Sequence, residues 1–176
     1  VLIGDWTNLE KFTDCGQHIK DLVIALGYGS KKCIVWERYT KPQTDPGSNQ
    51  YQYRAAINAE GDRRFLLLGL DGAFYWSPVG RANEPGAEAE AGLITSVATS
   101  DGGQTQAAFD VVKTFHDHFS SGTPIHDVTI TGTGASALAS DSKLWLINQT
   151  NGQRTVSVNN TAVYTLAAYE RRLVNY

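Results

Sequence analysis

The side chains best equipped for covalent chemistry in this 176-residue chain are two cysteines, Cys15 and Cys33, and four histidines, His18, His116, His118 and His126. Asp14 is a good N-cap type, and Ile19, Leu22, Val23 and Leu26 follow at helical spacing. A helix is therefore expected over 14–26, ended by Gly27. A thiol one residue past an N-cap sits among unpaired backbone N–H groups at the positive end of the helix dipole, which favours thiolate. His126 stands just ahead of the β-type run Val128–Ile130, where an imidazole could serve that thiol, oriented by Asp14 or Asp127. Cys15 and His126 are thus a candidate nucleophile–base pair for a hydrolase or transferase. Cys33 offers the opposite use. A Cys15–Cys33 disulfide would close a loop of about 18 residues, stabilise the fold by roughly 3 kcal/mol and remove the nucleophile.

Other constellations fail on spacing. His116 and His118 are two residues apart on an expected helix, so their rings point about 200° apart and do not share an ion. No C-x-x-C occurs, and no metal site is expected. Glu84, Glu88 and Glu90 lie on one Ala/Gly-rich loop, where a solvated face is expected rather than carboxylates opposed across a substrate. Gly132, Gly134 and Ala137 match G-x-G-x-x-A, but only a short helix fits before Leu144 and no acidic residue ends the next strand. The same stretch resembles the strand–elbow–helix of α/β-hydrolases, in which the catalytic His follows the nucleophile. Here all four histidines precede it, which excludes that family. No cofactor is expected.

Aromatic side chains give the positive lead. Trp36, Tyr39, Tyr51, Tyr53, Phe74, Tyr75 and Trp76 crowd into residues 36–76. Strand side chains alternate, so Tyr75 should face opposite to Phe74 and Trp76, leaving either Tyr75 or Trp76 exposed. Flat rings with a polar edge suit sugar stacking or a lipid interface. Tyr51, Tyr53, Tyr75, Trp76 and the nearby cation Arg81 are the candidate ligand-binding residues, and the expected partner is a glycan or a lipid surface. Asn148-Gln149-Thr150 and Asn159-Asn160-Thr161 are N-glycosylation sequons, with Asn148 and Asn159 as acceptors. The chain opens on Val1 and has no Met, as expected of a processed or partial chain. With the sequons and the even cysteine count, this points to a secreted or extracytoplasmic location.

The elements expected to position these residues are two amphipathic helices (14–26 and 104–119) and seven or eight strands. The strands fall at Cys33–Tyr39, Tyr51–Ala59, Arg64–Trp76, Leu93–Thr99, Val128–Thr131, Leu144–Asn148, Thr155–Val158 and Val163–Ala168. Asp71-Gly72 reads as a two-residue hairpin turn, and 77–92, with its prolines and glycines, as a long loop. The final segment from Ala167 to Val174 fits a helix as well as a strand. Strict βαβ alternation is missing from this list, so the expected fold is α+β, a largely antiparallel sheet body with two helices, in one domain over 1–176.

Composition sets the outer limits. With 41% hydrophobic and 19% charged residues the chain has the makeup of a folded domain. A net charge of −3 argues against a general nucleic-acid binder, and no apolar run approaches the about 18 residues of a membrane-spanning helix. The function expected is non-enzymatic recognition, lectin-like or membrane-acting. The alternatives are the Cys15/His126 enzyme and a structural or assembly subunit, and self-association is compatible with each.

Overall fold

The computed structural model describes residues 2–3, 5–40, 50–75, 78–80, 92–98, 100, 102–126 and 128–175, with backbone alone at 2–3, 35–40 and 50. The first half is built from parallel strands joined by helices. Strand β1 (Leu2–Ile3) leads to helix α1 (Trp6–Ala25), strand β2 (Ile34–Thr40), helix α2 (Gln50–Leu67) and strand β3 (Gly72–Tyr75). The order in the sheet is β1-β2-β3, with Leu2 opposite Tyr39, Ile34 opposite Gly72, and a register shift between Val35 and Arg38. Parallel neighbours need a crossover, and α1 and α2 supply the two.

Helix α1 begins well before Asp14. Asp5 is its N-cap, accepting the Asn8 N–H at 2.7 Å, and the buried side runs through Leu9 and Thr13, with Trp6 and Phe12 packed against the core. Its end matches expectation. Gly27, at φ +81°, closes a Schellman motif in which the Gly27 N–H donates to Ile24 O and the Tyr28 N–H to Val23 O, both at 2.9 Å.

Helix α2 is the main departure from the sequence reading, which expected strands at Tyr51–Ala59 and Arg64–Trp76 with a turn at Glu60-Gly61-Asp62. Residues 53–62 are all buried, so the helix shows no polar face. A helix surrounded by protein loses the one-sided pattern on which the expectation rested. Asp71-Gly72 is not a hairpin turn either. It starts a parallel strand: the Asp71 N–H donates to Cys33 O and the Cys33 N–H to Asp71 Oδ2, at 2.8 and 2.7 Å. The Lys20 ammonium caps the end of α2 through Leu68 O and Gly69 O.

Among the described residues of the expected strand Leu93–Thr99, only Ile94 makes β-bridges, to Val79 and Thr105. Helix α3 (Ala107–His118) follows where it was expected. The remaining strands are β4 (Ile130–Thr131), β5 (Ala135–Ala139), β6 (Lys143–Asn148), β7 (Arg154–Val158), β8 (Ala162–Leu166) and β9 (Arg171–Asn175). They form two antiparallel sheets, β4-β7-β8 and β5-β6-β9. Strands β5 and β9 were read as a turn with a short helix and as a possible last helix.

Two cores result. One joins Leu9, Tyr53, Ile57, Phe65, Val111 and Phe119 of the helices and the turn after α3 to Leu138, Trp145 and Ile147 of the β5-β6-β9 sheet. The other lies between the antiparallel sheets and holds Leu144, Leu146, Val156, Val158 and Leu166. Alternate side chains of β6 therefore enter different cores, which is why Leu144–Ile147 is unbroken apolar sequence. The fold is α+β, with three helices rather than two among the described residues and a parallel sheet beside the antiparallel pair. No helix among those residues is long and apolar enough to cross a membrane.

Candidate functional site

A cleft of about 670 Å³ opens between β3, the second half of α2 and the end of α3 with the turn that follows it. That volume lies within the about 300–1,000 Å³ usual for small-ligand sites. Phe65 and Leu66 come from α2, Phe74 and Tyr75 from β3, and Phe115 and Phe119 from α3 and its cap. Phe65 and Phe119 belong to the core, whereas Phe74 is 54% exposed and presents its ring to solvent. The adjacent Tyr75 is half-buried, and its hydroxyl accepts from Asn58 Nδ2 at 3.5 Å.

Polar groups surround this apolar wall. Asp62, 7% exposed, reaches it from α2; Lys32 stands just before β2 and Asp71 just before β3; Ser120, Ser121 and Thr123 line the turn after α3. Asp71 is fixed by the Cys33 N–H. His116 also lines the cleft and pairs through Nδ1 with Asp117 Oδ1 at 3.0 Å, while Lys113 holds the other Asp117 oxygen. The His116 hydrogen bond, followed by that of Lys113, lowers the Asp117 carboxyl to about 2. Such a site offers ring faces for stacking and a mixed set of donors and acceptors around them. Among the described residues no three metal-ligating side chains converge.

The residues picked from sequence are dispersed. Cys15 is the tenth residue of α1, exposed and far past the first turn, so the helix-terminus activation expected for it does not arise. Both thiols are free in the structure, with Cys33 half-buried. His126 donates to or accepts from Asp141 at 2.6 Å through Nε2 and shares no hydrogen bond with Cys15. Asp127 and Glu84, Glu88 and Glu90 lie outside the described residues.

Of the aromatic candidates, Tyr75 is in the cleft. Tyr51 is exposed on the first turn of α2 and does not line the cleft. Tyr53 is 8% exposed, packed edge-on against Trp6 and Tyr169 at ring distances of 5.9 and 5.1 Å, and so belongs to the core rather than to a ligand surface. Trp76 and Arg81 lie outside the described residues. Arg63 and Arg64 both bind the carboxylate of fully buried Glu60, whose Oε2 also accepts from Ser136 Oγ of β5. Asn148 is fully buried and Asn159 exposed.

Asp62, Lys32, Phe65 and the Phe115/Phe119 pair were not picked from sequence as ligand residues. The i, i+4 spacing of Phe115 and Phe119 placed them on one helix face, but nothing local indicated that Asp62 was helical.

No family model matches the chain, and no curated protein sequence matches it. Among solved structures it is similar to the endo-β-1,4-mannanase from Thermotoga petrophila, with 14% identity and a TM-score of 0.37. The match covers 96% of this chain and 37% of the mannanase. A likeness this distant assigns neither fold nor activity.

Proposed function

We propose that the chain is an extracytoplasmic recognition protein that takes a carbohydrate in the cleft beside β3. The observation that carries this reading is the pairing of an exposed Phe74 ring and Tyr75 with the Asp62 and Asp71 carboxylates in one concavity. A sugar ring has apolar C–H faces that stack on aromatics and a rim of hydroxyls that donate to carboxylates and accept from Lys32 and the serines. Neither half of such a site selects a sugar alone; both together favour it over an ordinary apolar ligand. The test is glycan-array screening of the full chain, followed by titration of the best ligand. Phe74→Ala and Asp71→Asn should each weaken binding about tenfold or more, corresponding to about 1.4 kcal/mol. Silence across the array, or binding unchanged in Phe74→Ala, would overturn the assignment.

A second reading, contact with a lipid surface, draws on α1. In its second half and the turn that follows, Ile19, Leu22, Ile24, Leu26 and Tyr28 are each 52–62% exposed, an unusual concentration of apolar side chains on one surface segment. Co-flotation with vesicles, carried out beside the sugar titration, separates the two.

A further inference from the structure

The cleft beside β3 and the apolar end of α1 are neighbours. Between them lies a hollow of about 190 Å³, lined by Ile24, Gly29 and Lys31 at the end of α1 and by Cys33, Gly69 and Asp71. Asp71 borders both this hollow and the cleft, and its Oδ2 accepts the Cys33 N–H at 2.7 Å. The turn after α1 is closed by the Lys31 N–H, which donates to Tyr28 O at 2.9 Å, and the next residue, Lys32, lines the cleft. Ile34 stands opposite Gly72 in register, so its side chain and that of Phe74 share a face of the sheet. Ile34 is 44% exposed. Leu26, Tyr28, Ile34 and Phe74 are thus exposed apolar residues on either side of one rim.

Charge selects what such a surface meets. Residues 22–32 hold two lysines and no carboxylate. Lys31 and Lys32 are both exposed and form no ion pair among the described residues. Asp21, just before this segment, accepts from Gln17 Nε2 at 2.7 Å. Ammonium groups beside apolar side chains, with a tyrosine among them, match a phospholipid surface, whose phosphates lie just outside its acyl region. A twofold pairing of two copies through the same tip would instead set like charges against one another.

We propose that the ligand of the cleft is the carbohydrate headgroup of a membrane glycolipid, bound while Leu26 and Tyr28 enter the surrounding bilayer and Lys31 meets its phosphates. This rests on the sugar reading of the cleft and names the source of the sugar. Contacts that are weak one at a time gain from being carried on one rigid body, because the first brings the second to a high effective concentration. The same sugar free in solution makes only one of them and binds less well.

The experiment compares three probes on the full chain: the strongest glycan from the array free in solution, phosphatidylcholine vesicles carrying that glycan linked to diacylglycerol, and bare phosphatidylcholine vesicles. Affinity for the sugar-bearing vesicles is expected to exceed that for either other probe by tenfold or more. The double variant Leu26→Asp/Tyr28→Asp should bring the vesicle affinity down to that of the free glycan without changing the latter, and Lys31→Glu should weaken vesicle binding alone. Equal affinity for free and vesicle-borne glycan would overturn the proposal while the sugar reading stands. Equal binding to bare vesicles would overturn it too, leaving lipid contact without a sugar, and an array with no hit removes both readings of the cleft. A dimer in sedimentation velocity that Leu26→Asp disperses would assign the tip to a second copy and count against the membrane.

Discussion

Glu60 is a carboxylate with no exposure to water, and its three partners come from two directions. Arg63 and Arg64 lie one turn ahead on α2, and Ser136 reaches it from β5. Burial alone pushes the carboxyl up, but the hydrogen bond and charge of Arg63, with Ser136 and Arg64, outweigh it and leave the group below the usual glutamate range. A pKa lowered by folding gives stability that is complete above the unfolded value and lost as pH falls through the folded one. Unfolding midpoints in urea should therefore decline below about pH 5, with a shallower decline in Glu60→Gln. Glu60→Ala leaves two guanidinium groups facing an emptied site and should cost about 3 kcal/mol at neutral pH. In sequence this residue stood in Glu60-Gly61-Asp62, a composition that fits a turn, and its role depends on Ser136, 76 positions away. A contact of that range leaves no local mark. Asn148 shows the same limit: its sequon is visible in sequence, its burial is not.

At the scale of elements, legibility followed exposure. The end of α1 at Gly27, α3 and the strands β6 to β8 have either one wet face or a clear turn residue, and sequence patterns found them. Helix α2 has no wet face along residues 53–62, since protein covers that stretch on every side. Strand β5 was hidden by small residues, Ala135 to Ala139, that resemble a glycine turn continuing into a helix. The turn before it does need its glycines. Gly134 sits at φ +75°, and a Cβ there would lie 2.4 Å from Thr150 Cγ2. Thr150 cannot easily yield, because its hydroxyl is bonded to Asn148, Gly152 and Arg154. Gly134→Ala is expected to lower stability by about 1–3 kcal/mol, read as a shift of the denaturation midpoint at constant slope. Gly103, with the same sign of φ and nothing within 4 Å, serves as the control and should lose less.

For the molecule as a whole, the α+β class was legible because helices interrupt runs of strands, yet the parallel sheet was not. Its crossover helix α2 had been read as strands, so the βαβ alternation did not show. The two cores share the β5-β6-β9 sheet, with Trp145 facing the helices and Leu146 facing the second antiparallel sheet. A common wall couples them. Trp145→Ala and Leu146→Ala should each cost about 2–5 kcal/mol and move one transition, seen alike by near-ultraviolet and far-ultraviolet circular dichroism. Two separated transitions would show that the halves melt independently. The candidate cleft belongs to this scale as well, since α2, β3 and α3 each supply one side of it. Among its described residues, only Tyr75 had been picked from sequence as a ligand residue.

Strand β6 is flanked by β5 on one edge and β9 on the other, and β9 follows only after β7 and β8 have been made. During synthesis on the ribosome, a strand apolar on both sides thus waits with one row of amide and carbonyl groups unmatched while some twenty further residues are added. Such a nascent stretch pairs readily with its like in a neighbouring polypeptide. Cells producing this protein at high level will need chaperones that bind extended apolar segments, and inclusion bodies are the outcome where that capacity is exceeded.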